Sequence, residues 1–331
     1  IEIQARRATA PYEHIHDGAI QTEQAINFLL ARKNPYVENY IQTPMAQWHK
    51  YFGLAPRDNP ALFYLPYLPL TFIAPLPFFP AFQAALGFFD LRMYQLIVFV
   101  GLFFLLFQLT QEWDRKLALA ILVALNPLFV PTFIEGRNDV VVLWWLVLAL
   151  YFLQRRRIAL ASIALGLACV VKATAWFAVP FFLAHLWLTG FRQPRAWMTR
   201  VLLPLLSVGM IFVAPFLVWD ARAFIDGALW YQSSAYRIAG QGFSRWVLEL
   251  GLVANEAAAF PFTFFQVMIG APVLIVLTRW QTARPTLQRM VAAMAVFGFV
   301  IGYFGRAFAD NHMGFVLSLA LLALGIGEER S

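Results

Sequence analysis

From about residue 60 onward the chain consists of long apolar runs separated by short polar loops. Residues 91–110, 116–133, 140–153 and 201–218 each approach the roughly 20 residues that an α-helix needs to cross a bilayer. Similar runs near 263–279 and 288–304, and a last one after His312, continue the pattern. The first sixty residues are different, with frequent charges and histidines. Within them, Ile20, Ile26, Leu29 and Leu30 fall on one side of a helix from Asp17 to about Lys33. Gln21, Gln24 and Asn27 fall towards the other side, which predicts an amphipathic helix on the membrane surface. Asn34-Pro35 ends it, and Thr43-Pro44 starts a second short helix carrying Met45, Trp48 and Phe52. The expected organisation is an external loop with interfacial helices over 1–60 and a multi-pass transmembrane domain over 61–331.

Two stretches depart from simple crossings. Residues 64–80 contain Pro66, Pro69, Pro75, Pro77 and Pro80, each without a backbone donor, so an unbroken helix is excluded there. Backbone of that kind persists at membrane depth only against protein or a wet cavity, which predicts a broken or re-entrant segment. Counting crossings back from the basic loops places Asp90 outside with Asp17, so this segment would make no net crossing. Residues 158–189 are too few for two full crossings, although both flanking loops are basic. Two short helices meeting at Lys172-Ala173-Thr174, below the external surface, reconcile the length with the charge.

Composition supports the same class. Apolar residues make up 61% of the chain and charged residues 13%, too little charge for a soluble domain of this size. The net charge of +7 does not point to nucleic acid, because the arginines lie in loops. Arg155-Arg156-Arg157, then Arg192, Arg195 and Arg200, then Arg279, Arg284 and Arg289 mark three loops as cytoplasmic. The single cysteine, Cys169, allows no intrachain disulfide. No signal peptide is visible, and the abrupt polar start leads us to expect a further transmembrane helix upstream. No internal repeat is visible, which weakens an inverted-repeat transporter reading.

On this topology Asp17, Asp90, Arg137, Asn138, Asp139, Lys172, Arg237, Arg306 and His312 share the external side. A carboxylate facing several cations supplies parts for transferring a group off a phosphate. The base takes a proton from an incoming hydroxyl, and the cations stabilise the phosphate that leaves. Plainer roles stay open for each residue. Asp17 is also suited to capping its helix. His14 and His16 could ligate a metal, but no fourth ligand accompanies them, so no metal or other cofactor is expected. Arg137 and Asp139 could pair at a helix end, and Lys172 could snorkel to the interface. The Trp and Tyr residues of 230–236 suit an interfacial belt.

The order of several short motifs resembles the GT-C glycosyltransferases, multi-pass enzymes that use polyprenyl-phosphate sugars. They are His16-Asp17-Gly18, Lys33-Asn34-Pro35-Tyr36, Pro66-Tyr67-Leu68-Pro69, and Glu135-Gly136-Arg137-Asn138-Asp139 opening a helix. The stretch from Arg157 to Lys172, Ala214-Pro215-Phe216-Leu217-Val218-Trp219-Asp220 and Gly305-Arg306-Ala307-Phe308 complete the series. The pattern is most similar to the polyprenol-phosphate-mannose-dependent mannosyltransferases, glycosyltransferase family 87. The resemblance implies an all-α GT-C-like bundle in the plasma or inner membrane, with its site on the extracytoplasmic face. It also implies Asp17 as general base in an inverting displacement, with a glycan, glycolipid or protein as acceptor. Phosphate contacts would fall to Lys172, Arg306, His312 and Arg237, and acceptor or sugar contacts to His16, Glu23, Arg137, Asn138 and Asp139. Two departures stand out: the family's usual first helix is missing, and Arg137 stands where many relatives have glutamine. The rival readings are a transporter or flippase of lipid-linked precursors, and a non-catalytic subunit of a membrane synthase.

Overall fold

The computed structural model describes residues 1–48 and 59–326, and Phe52 of the expected second helix lies outside them. Helices dominate, as expected for an all-α polytopic membrane protein. The chain opens with α1 (Glu2–Ala8), α2 (Asp17–Leu30) and the single turn α3 (Met45–Trp48). The helix starting at Asp17 is present, but it does not lie on the bundle with one wet face. Residues 18–23, 25 and 26 are all buried, including Gln21, Thr22 and Glu23. Gln21 is accommodated because its amide donates to the carbonyls of Ala61 and Tyr64. Tertiary polar partners therefore replaced the water that the amphipathic pattern implied.

The proline-rich segment is broken, as its composition requires. It forms α4 (Leu70–Ile73) and α5 (Phe78–Leu86), and the 70–86 stretch bends by 114° from α6 (Leu91–Leu106). The start of this stretch, away from the bend, is held against the central hairpin: Leu70 N–H donates to Val170 O, and Thr71 Oγ1 to Val171 O. Residues 116–133 do not form one crossing. The chain makes α7 (Trp113–Leu119), a wide turn over 120–124, and α8 (Val130–Ile134). Asn126-Pro127 interrupts it, because the residue before proline is driven from helical geometry. Asn126 donates to Gly314 O and Ser318 Oγ, so the break is also a tertiary anchor.

The central hairpin follows the sequence closely. It comprises α9 (Asp139–Gln154), α10 (Ile158–Cys169), a turn at 170–171 leading to an extended Lys172, a 3-10 turn over 173–178, and α11 (Val179–Leu188). A turn α12 (Pro194–Trp197) leads into α13 (Leu203–Phe212), and α14 (Ala214–Ile225) is kinked at Asp220. After a wide helical stretch over 226–235 come strand β1 (Ala239–Gly240) and α15 (Phe243–Glu249). The chain closes with α16 (Phe262–Ala283), α17 (Leu287–Tyr303), strand β2 (Ala307–Phe308) and α18 (Asp310–Ile326). Packing centres on α9 against α6 and α10, and on α17 between α16 and α18; α18 in turn meets α9. Strands β1 and β2 pair in parallel and tie the 226–262 excursion to the start of α18.

Among the described residues, Pro194–Phe212 and Phe262–Ala283 are long and apolar enough to span a bilayer, and both are largely unburied. The interior helices are shorter: α9 has 16 residues and α18 has 17, about 24–26 Å at 1.5 Å per residue.

Candidate functional site

A buried charge network sets the frame of the site. Arg6 donates to both Glu23 carboxylate oxygens, at 2.9 and 2.7 Å, and to Asp90 at 2.8 Å. Arg92 grips the same Asp90 at 2.9 and 2.8 Å. Asp90 also caps α6 through Arg92 N–H, and Glu23 accepts from Leu91 N–H. Two guanidinium groups thus face two carboxylates, as burial of charge demands. Burial pushes the Glu23 carboxyl up against the pull of Arg6, whereas at Asp90 the two arginines outweigh burial and hold it below the usual carboxylate range. The remaining Arg92 N–H reaches His14 O at 2.7 Å, and His16 N–H donates to Glu135 O at 2.8 Å. The network therefore clamps the segment carrying His16 and Asp17 against the loop that opens α9.

That segment ends at the start of α2. His16 is the N-cap, and Asp17 occupies the first turn, where the helix dipole favours a negative charge. The Asp17 carboxylate accepts from Gly18 N–H at 2.6 Å and lies 2.7 Å from His16 Nδ1. The phenol oxygen of Tyr67 sits so close to Gly18 that a Cβ there would lie 2.0 Å from it. Only glycine allows this approach, which explains the His-Asp-Gly order in steric terms.

A cavity of about 590 Å³ opens beside this turn. His16, Gly18 and Tyr67 line one side; Arg137, Asn138, Asp139 and Lys172 line another. Tyr236, Arg306 and His312 contribute the rest of the polar wall, and Phe177, Met294 and Phe315 an apolar part. Asp17 lies between two lining residues, and its charge reaches the cavity's phenols. Burial first, and then the Asp17 carboxylate, push Tyr67 and Tyr236 up, the latter to about 12.

The cations are differently committed. Lys172 donates to Asp139 Oδ1 at 2.8 Å, and Asn311 Nδ2 donates to Asp139 Oδ2 at 2.8 Å. Asn311 Oδ1 in turn accepts from Arg137 Nη1 at 2.9 Å, while Arg137 Nε reaches Glu135. This chain joins α9, the break after α10 and the start of α18. Arg306 donates to the carbonyls of Tyr236, Glu256 and Ala258 and so pins the 236–258 excursion without pairing with a carboxylate there. His312 Nδ1 accepts from Ala309 N–H, a capping contact at the head of α18. Its neutral ring then carries the proton on Nε2, available to a ligand.

Of the residues expected at the site, His16, Arg137, Asn138, Asp139, Lys172, Arg306 and His312 line the cavity, and Asp17 adjoins it. Glu23 and Arg237 are not among the lining residues. Glu23 is consumed by Arg6 and the start of α6, and Arg237 pairs with Glu256. The 230–236 stretch is not purely an interfacial belt. Trp230 is exposed, but Tyr231 is buried and stacks on Tyr64, and Tyr236 faces the cavity. Sequence reasoning missed Asn311, which nothing local marks, and gave Tyr67 no role although it sits in the Pro-Tyr-Leu-Pro motif. Among the described residues, no three His, Cys, Asp or Glu side chains gather as a metal site.

Residues 60–189 match the profile of the MptA_B family, alpha-(1->6)-mannopyranosyltransferase, N-terminal domain. That segment includes Arg137, Asn138, Asp139 and Lys172, whereas Asp17, Arg306 and His312 lie outside it. No curated protein matches the chain. The chain is a helical membrane protein whose residues 60–189 are similar to a mannosyltransferase family domain.

Proposed function

We propose that this protein transfers mannose from a polyprenyl-phosphate donor to an acceptor hydroxyl at the extracytoplasmic face, with inversion at the anomeric carbon. The observation that carries this reading is the cavity's two-sided chemistry. The Asp17 turn borders one side, while Lys172, Arg306 and His312 line the rest. Asp17 takes the proton of the attacking hydroxyl, and the acceptor oxygen forms its bond to the anomeric carbon. The carbon–oxygen bond to the phosphate breaks, and the phosphate leaves with the electron pair. Arg306 meets the resulting charge, helped by the Nε2–H of His312 and by Lys172, whose charge is partly held by Asp139. Arg137, Asn138 and the Asp139 carboxylate suit sugar hydroxyls. The α-(1→6) linkage in the family's name makes a mannose 6-hydroxyl the first acceptor to try.

Loss of a general base typically costs about 10²–10⁴-fold in rate. Asp17→Asn is therefore expected to lower release of polyprenyl phosphate from a mannosyl donor by that order, with donor affinity nearly intact. Retained turnover in Asp17→Asn would remove it from the base role. Movement of donor across liposomes without any sugar transfer would favour a transporter instead.

A further inference from the structure

A second, more open recess of about 520 Å³ adjoins the first and is lined by residues of β1, α15 and the head of α18. The two cavities share Ala309 as a wall, and the strand pair continues from one to the other: Ala239 lines the first and Gly240 the second. Gly240 has φ +88°, and a Cβ there would lie 2.1 Å from Phe308 O. A glycine is therefore required to hold this sill in place. The head of α18 divides the two spaces, with Asp310 on the second cavity and Asn311 and His312 on the first.

The second cavity has the chemistry of a sugar platform. Trp246 is 55% exposed within it. Two hydrogen-bonded pairs share the lining with the indole: Arg245 Nε with Glu249 at 2.7 Å, and Gln241 Nε2 with Asp310 Oδ1 at 3.0 Å. A flat apolar ring bordered by carboxylates and an amide matches a pyranose, which has an apolar C–H face and a hydroxylated edge. One arginine against two carboxylates leaves the lining net negative. An anionic lipid headgroup or a phosphate is disfavoured there, whereas a neutral saccharide is not.

We infer that this second cavity is an acceptor subsite that holds the next sugar of a neutral oligosaccharide stacked on Trp246, while the terminal sugar occupies the first cavity. The inference rests on the transferase reading above and adds that the acceptor is a glycan longer than one unit. A monosaccharide acceptor fills only the first cavity. A di- or trisaccharide gains the stacked contact, on the order of 10-fold in affinity.

The test compares methyl α-mannoside with α-(1→6)-linked mannose di- and trisaccharides on the purified protein. In the kinetic arm, Trp246→Ala is expected to raise KM for the trisaccharide about 10-fold while leaving kcat, and KM for the monosaccharide, unchanged. Trp246→Phe, which keeps a ring, retains most of the length preference. In a donor-free arm, saturation-transfer NMR detects trisaccharide binding that weakens to the monosaccharide level in Trp246→Ala. Equal effects on both acceptor lengths, or none, overturn the inference, as does a Trp246→Ala change confined to vesicle partitioning. Absence of transfer to any acceptor would refute the transferase reading alone, because the donor-free arm still decides whether Trp246 holds saccharide.

Discussion

Lys172 combines a structural contact with the donor-phosphate role proposed for it. Its side chain is largely buried and paired with Asp139, whose carboxylate is almost fully enclosed. Removing one member of such a pair strands the other charge and typically costs about 3–5 kcal/mol. Lys172→Ala should therefore lower the thermal stability of the purified protein as well as weakening donor binding. Adding Asp139→Asn should return most of the stability, because no uncompensated charge remains, but not the donor affinity. Recovery of both in the double variant would confine Lys172 to a structural role. The residue-level reading of the sequence placed Lys172 at the meeting of two short helices, and the structure has it there, at an extended break. It did not pair Lys172 with Asp139, because the two are 33 positions apart and only the packing of α9 on the break joins them. Glu23 was expected at the site from the family resemblance, yet its carboxylate is turned to Arg6.

At the scale of elements, the small helix α1 has a larger part than its length suggests. Arg6 is the link through which α1, α2 and the cap of α6 are joined. Glu23→Gln leaves Arg6 with a single carboxylate partner, one it shares with Arg92, and should destabilise the protein by about 3–5 kcal/mol. It should also loosen the His14–Asp17 segment, which is seen as faster amide hydrogen exchange at His16. Unchanged exchange there would separate the network from the site. The helices themselves were largely readable, because apolar runs and prolines act locally. The start at Asp17, the proline-broken segment and the paired short helices of 158–189 all follow from such signals. The interrupted 116–133 run was legible only in hindsight from Asn126-Pro127. The burial of Gln21 and Glu23 was not legible, because it depends on partners 40 to 68 positions away.

At the scale of the whole molecule, the helices differ in height. The two long spans, Pro194–Phe212 and Phe262–Ala283, lie outermost, while shorter helices make up the interior. A protein built this way meets the surrounding lipid at one thickness and encloses a shallower centre. The rim helices of 19 and 22 residues correspond to about 28–33 Å of apolar height, close to an ordinary hydrocarbon core. Thinner bilayers force tilting of these rim helices, at a cost of a fraction of a kcal/mol per Å. Because α16 packs on α17, which packs on α18, that tilt is passed to the helix whose head carries Asn311 and His312. Activity reconstituted in lipids of increasing acyl length should pass through a maximum near a 30 Å core and fall on either side. Membrane composition would then act as a rheostat on the enzyme, with no ligand needed to turn it.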